Sequence, residues 1–152
     1  MSAHNLWLGG SITYSHQQGY QARFTDVMTK VCCFLHRYGY YGAVGIDILE
    51  DGEGKLWVVD LNVRPPGSLV LGLLRGFLEE RGLDFAVFVA SRRFSVSKDE
   101  LCVKFAREFA EGRLILNAWV DDDEEAGGWA TLVIAGEDEV TAKALCGKLE
   151  DG

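Results

Sequence analysis

Two apolar runs, AVGIDIL at 43–49 and LWVVDLNV at 56–63, stand on either side of the short polar stretch EDGEG. A glycine-rich turn between two β-prone runs leaves the chain one economical option, an antiparallel hairpin. RPPGS at 64–68 ends the second strand, because neither Pro65 nor Pro66 has an amide to give to a ladder. No other stretch of the chain restricts the fold as tightly.

Side chains two apart share a strand face. Val59, Leu61 and Val63 are therefore expected to point into the core, and Asp60, Asn62 and Arg64 to the opposite side. On the first strand Gly45, Asp47 and Leu49 share a face, and the short turn sets Asp47 beside Asp60, directly or diagonally. Two carboxylates at close range repel unless a proton or cation intervenes. Hard oxygen donors of this kind suit Mg²⁺ or Mn²⁺, with waters and phosphate oxygens completing the shell. Asp60 is placed to bridge two ions, Asp47 serving one and Asn62 the other, while Arg64 offers a planar fork to a phosphoryl oxygen. Gly67 and Ser68, at the start of the next helix, add anion contacts. An Asp-x-Asn-x-Arg alternation is also what a solvated sheet face carries, so spacing by itself leaves both readings open.

The remaining chain alternates helix and strand patterns. NLWLGG reads as a strand followed by a loop holding His16. Phe24, Val27, Met28, Val31, Phe34 and Leu35 recur at helical spacing within 22–37. Ser68 opens a helix over LVLGLLRGFLEERG, and 83–90 reads as a buried strand. SKDE at 97–100 has the form of a capping box ahead of a helix reaching about 111, and strands at 113–120 and 129–135 flank an acidic loop before a last helix over 138–149. The expected class is α+β, an antiparallel or mixed sheet flanked by helices, within one domain over 1–152.

The charge is −8, from 23 acids and 15 bases, and no stretch approaches a membrane span, which argues against nucleic-acid and membrane partners and for a cytoplasmic protein. Cys32, Cys33, Cys102 and Cys146 have no zinc or CxxC spacing and are read as reduced core or near-core residues. LGGS at 8–11 offers free amides for an anion without the lysine of a P-loop. Arg92 and Arg93 read as solvated residues at a strand end, and the acids at 121–125 as a solvated loop.

GYYGAVGIDILEDGEGKLWVVDLNVRPPGS (39–68) resembles the C-terminal subdomain of the ATP-grasp fold, and GGSITYSHQQG and VLGLLRGFLEERGL are similar to fungal ATP-grasp proteins specific to solid-state culture. The resemblance is strongest over residues 5–90 and looser beyond them. It implies that Asp47 and Asp60 hold a first magnesium, that Asp60 and Asn62 hold a second, and that Arg64 steadies the γ-phosphate or an acyl phosphate. Where many members of the superfamily carry glutamate, this chain carries the shorter Asp60. It further implies ATP and a small carboxylate as ligands, with carboxylate–amine ligation as the reaction. The chain starts near the family's final subdomain, so it is expected to hold a metal and phosphate half-site. It then either pairs with a second copy or a complementary polypeptide, or serves as a non-catalytic binding or interaction module.

Overall fold

GWATLVIAG is apolar on consecutive positions rather than alternate ones, as a strand covered on both faces should be. The structure, a computed structural model describing residues 9–122 and 126–150, places that run as β6 (Gly128–Gly136) in the interior of a four-stranded antiparallel sheet. Its neighbours are β4 (Phe85–Phe94) on one side and β5 (Leu114–Asp121) on the other, with β1 (Gly9–Thr13) outside β4. Ala130, Leu132 and Ile134 enter one core, with Phe94, Leu101, Phe105, Leu145 and Leu149. Val133 and Ala135 enter the other, with Tyr14, Leu71, Leu78, Leu83 and Phe88.

The first core is closed by α4 (Lys98–Lys104), α5 (Ala106–Ala110) and α6 (Glu139–Glu150): Leu101 comes from α4, Phe105 from the junction between α4 and α5, the partly buried Phe109 from α5, and Leu145 and Leu149 from α6. The expected capping box is present: Ser97 Oγ accepts from the Glu100 amide, and Glu100 accepts from the Ser97 amide at 2.9 Å. The helix behind it breaks at Phe105, whose φ of −110° and ψ of 28° leave the helical well. Asp138 starts α6, accepting from the Thr141 amide at 2.8 Å. Under the other face lie α2 (Leu69–Leu73) and α3 (Arg75–Glu79), two single turns where the sequence reads as one long helix. Gly72 and Gly76 within the run weaken its propensity. Tyr14 is fully covered and donates its hydroxyl to the Leu71 carbonyl at 2.7 Å; burial lifts its phenol to about 12.

The chain divides into two compact units, Met1–Tyr14 with Val70–Gly152, and Ser15–Leu69. The first is the sheet and helices just described. The second holds α1 (Gln17–Arg37) and the hairpin of β2 (Gly45–Glu50) and β3 (Leu56–Asn62). A 3₁₀ turn at Tyr14–His16 leads into α1, so His16 sits at a helix entrance and not in a loop. The α1 stripe is half-covered: Phe24, Val27, Met28 and Val31 are partly buried, Leu35 is buried, and Phe34 faces outward. Cys32 and Cys33 are exposed, contrary to the expectation of a core or near-core position. They follow Val31 by one and two residues, which turns them about 100° and 200° away from the stripe. Cys102 and Cys146 are partly buried, and none of the four cysteines is in a disulfide.

The fold class is α+β, with a four-stranded and a two-stranded antiparallel sheet flanked by helices. Among the described residues no helix is long and apolar enough to cross a membrane.

Candidate metal and phosphate site on the hairpin

The hairpin turn is organised by Asp51. Its Oδ1 accepts from the Glu53 and Lys55 amides at 3.0 and 2.9 Å, and its Oδ2 from the Trp57 indole at 2.8 Å. The indole bond first, then the amides, hold this carboxyl below its ordinary value. Gly54, at φ 80°, supplies the left-handed step that closes the turn. The sequence signal for this was the Asp–Gly–Glu–Gly spacing, an Asx-type turn.

The turn fixes the register. Asp47 stands directly opposite Asp60, and Gly45 opposite Asn62. Directly opposed residues of an antiparallel pair share a face, so both carboxylates lie on one side, and both are exposed. Asn62 Nδ2 donates to Asp60 Oδ2 at 2.7 Å, and Arg64 Nη2 donates to Asn62 Oδ1 at 3.2 Å. Arg64 also reaches the Pro65 carbonyl at 3.3 Å. The row Asp60–Asn62–Arg64 is thus a hydrogen-bonded ladder with Asp47 across from its first member. Gly45 lacks a side chain for a reason: a Cβ there would lie 3.0 Å from Pro66 Cβ and 3.4 Å from Asn62 Cβ. The proline after the strand folds back over the glycine, a brace beside Asn62.

The apolar face differs from expectation. The register slips between Asp47 and Ile48, so that Ile48 faces Val58 and Val59 is the extra residue of a β-bulge. Val59 is 54% exposed and Val63 43%, while Leu61 is partly buried, so these three do not form a core face. The covered side carries Ile46, Ile48 and Leu61; Glu50, on the Ile46–Ile48 side, pairs with Arg23 of α1. A bulge re-aims side chains next to it, and here it lies beside Asp60.

Gly67 and Ser68 are exposed after Pro66. The helix that follows is a single turn, so its dipole adds little, and any anion contact there rests on the loop amides. Among the described residues no three His, Cys, Asp or Glu side chains are placed to hold a metal ion. The hairpin set has two carboxylates, its third oxygen coming from an amide. That donor set is hard and open to water, which fits Mg²⁺ or Mn²⁺ bound through few protein ligands.

The other sequence candidates resolve simply. Gly9, Gly10 and Ser11 run extended along Val89, Phe88 and Val87 of β4, so they do not curl into an anion nest; Leu8 lies outside the described residues. Arg92 and Arg93 belong to β4 rather than following it, and Arg93 pairs with Asp122 at 3.2 Å. Asp121 accepts from the Trp119 indole at 2.7 Å, and residues 123–125 lie outside the described residues. No protein-family model matches the chain, and no curated protein matches it.

Proposed function

We propose that the hairpin is the metal and phosphate half-site of an ATP- and Mg²⁺-dependent ligase of the ATP-grasp type, one that activates a small carboxylate by phosphorylation ahead of attack by an amine. The observation carrying this reading is the direct opposition of Asp47 and Asp60 with Asn62 and Arg64 in a row behind them. Asp47 and Asp60 would hold a divalent ion that offsets their mutual repulsion and would supply positive charge for phosphate oxygens. Asp60 and Asn62 would offer donors to a second ion. Asn62 would offer its Oδ1, which accepts from Arg64 here, and Arg64 would offer its guanidinium to a phosphoryl or acyl-phosphate oxygen. The Gly67 amide and the Ser68 amide and hydroxyl add donors for the same phosphate. This chemistry belongs to a cytoplasmic protein supplied with ATP.

Calorimetry of ATP binding with and without Mg²⁺ tests the proposal. Metal-dependent binding that Asp60→Asn weakens at least tenfold supports it. Binding that ignores both the metal and the substitution, or no binding to the parent, removes it.

A second reading, a non-catalytic interaction module, has its own observation in favour. Among the described residues, ten of the sixteen exposed large apolar side chains lie in Ser15–Leu69. In that reading the chain's partner is a second copy or a complementary polypeptide, and ATP does not bind.

A further inference from the structure

Cysteine outside a disulfide is among the most buried of residue types, because a thiol packs as a small apolar group. Cys32 and Cys33 are both exposed, side by side in the last turns of α1. Neither lies on the covered stripe of that helix, whose last member is Leu35. Packing therefore gives no reason for two thiols there. Their remaining property is chemical, as nucleophile and as soft metal ligand.

The next side chain along the helix with a lone pair to give is His36. An α-helix turns about 100° and rises about 1.5 Å per residue, so His36 lies about 40° round the helix from Cys32 and about 6 Å further along it. Residues four apart are surface neighbours, with Cβ atoms roughly 5–6 Å apart. A helical side chain leans back over the turn before its own, which carries the imidazole toward Cys32. The imidazole meets the Tyr41 ring at 79° with centroids 4.9 Å apart, a contact that steadies its plane. Cys32 and His36 also line one hollow, with Leu35, Tyr40 and Val44 among its other walls. Neither side chain makes a hydrogen bond among the described residues, so both keep lone pairs to give.

We propose that Cys32 and His36 bind a soft monovalent metal ion of the Cu(I) type, held in two-coordinate form between the Cys32 sulfur and an imidazole nitrogen. Zinc takes three or four protein ligands, and among the described residues no three His, Cys, Asp or Glu side chains are gathered for an ion. A two-coordinate ion asks for this pair and no more. Bonds of about 2 Å to sulfur and to nitrogen set the two donors about 4 Å apart, a span that side chains on neighbouring turns cover. Binding exchanges the thiol proton for the metal: Cys32–SH and Cu⁺ give Cys32–S–Cu and one released proton. The neutral imidazole adds a lone pair, and copper keeps its oxidation state. Thiolate and ion cancel in charge, which suits a hollow whose walls are mostly apolar. Cys33 is the lesser donor, because its neighbour four residues on is Arg37, a permanent positive charge lining the same hollow.

The test offers the full chain one equivalent of Cu(I) under nitrogen in competition with ferrozine, followed by peptide-mapped alkylation with N-ethylmaleimide. The expected result is transfer of the ion from ferrozine to the parent chain, with alkylation of Cys32 slowed and that of Cys33, Cys102 and Cys146 unchanged. Cys32→Ser and His36→Gln are each expected to weaken binding at least tenfold, and Cys33→Ser less than threefold. All three positions are exposed, so each variant should keep the parent far-UV circular dichroism. No transfer to the parent, protection spread evenly over the thiols, affinity unchanged by His36→Gln, or a loss in Cys33→Ser as large as that in Cys32→Ser overturns the proposal. The protection pattern is read on the parent alone, so it decides the matter even where a variant fails to fold. Asp60→Asn binds Cu(I) as the parent does, which separates this outcome from that of the nucleotide test.

Discussion

Gly45 is the residue on which the hairpin site turns most sharply. Asp47, Asp60, Asn62 and Arg64 are polar residues on an exposed face, and many strands carry such residues. What distinguishes this face is that Pro66 folds back to within 3.0 Å of where a Gly45 Cβ would stand, with Asn62 at 3.4 Å. The row was legible in advance because strand period fixes which residues share a face. The brace was not, since it depends on the path of the chain after Pro65. Gly45→Ala should displace Pro66 and Asn62 at a cost of about 1 kcal/mol and lower Mn²⁺ affinity several-fold. Titration of Mn²⁺ followed by water-proton relaxation checks this; unchanged affinity in a folded variant would disprove the brace.

At the scale of elements, periodicity located nearly every strand and helix and misplaced their limits for local reasons. The α2–α3 run reads as one helix because its leucines keep helical spacing, yet Gly72 and Gly76 let it break at Leu74. The hairpin's apolar face was misread because a bulge leaves no mark on an alternation of valines, and one extra residue shifts the facing of all that follow. The capping box was read correctly because its two bonds are local and written in four residues. Glu100 is held below its ordinary value chiefly by the Ser97 amide, then by the Ser97 hydroxyl. Ser97→Ala should cost about 1 kcal/mol in urea unfolding followed at Trp119, which stacks on Phe94 with centroids 5.9 Å apart. A loss indistinguishable from zero would mean that α4 is held by packing of Leu101 and Phe105 alone.

For the whole molecule, the division into two units matters more than any single element. One unit buries a sheet on both faces; the other exposes much of its apolar surface. Length and composition contain no sign of this, because an apolar residue has the same letter whether it is covered or not. Native-state hydrogen exchange should protect β4 and β6 far more than β2 and β3. Acid should act first on the sheet unit. The Arg113 guanidinium holds Glu137 at about 2 instead of the ordinary 4.5, and Arg113 also bonds Glu111, which Arg107 grips at 2.7 Å. Carboxylates lowered on folding stabilise above their unfolded values, and that contribution is lost as pH falls through the folded ones. Stability is therefore expected to decline between about pH 4.5 and about pH 2, with Glu137→Gln flattening the decline in chemical unfolding. These groups are exposed, so the decline is shallow.

A divalent ion above the hairpin is the proposal on which the ligase reading depends. Its most direct measurement is Mn²⁺ titration of isotope-labelled protein by NMR, reading which backbone amides broaden. The prediction is broadening centred on Gly45–Asp47 and Asp60–Arg64, abolished by Asp60→Asn. Broadening centred on the Asp121–Asp122 or Glu137–Glu139 acids, or a hairpin pattern that survives the substitution, would contradict it.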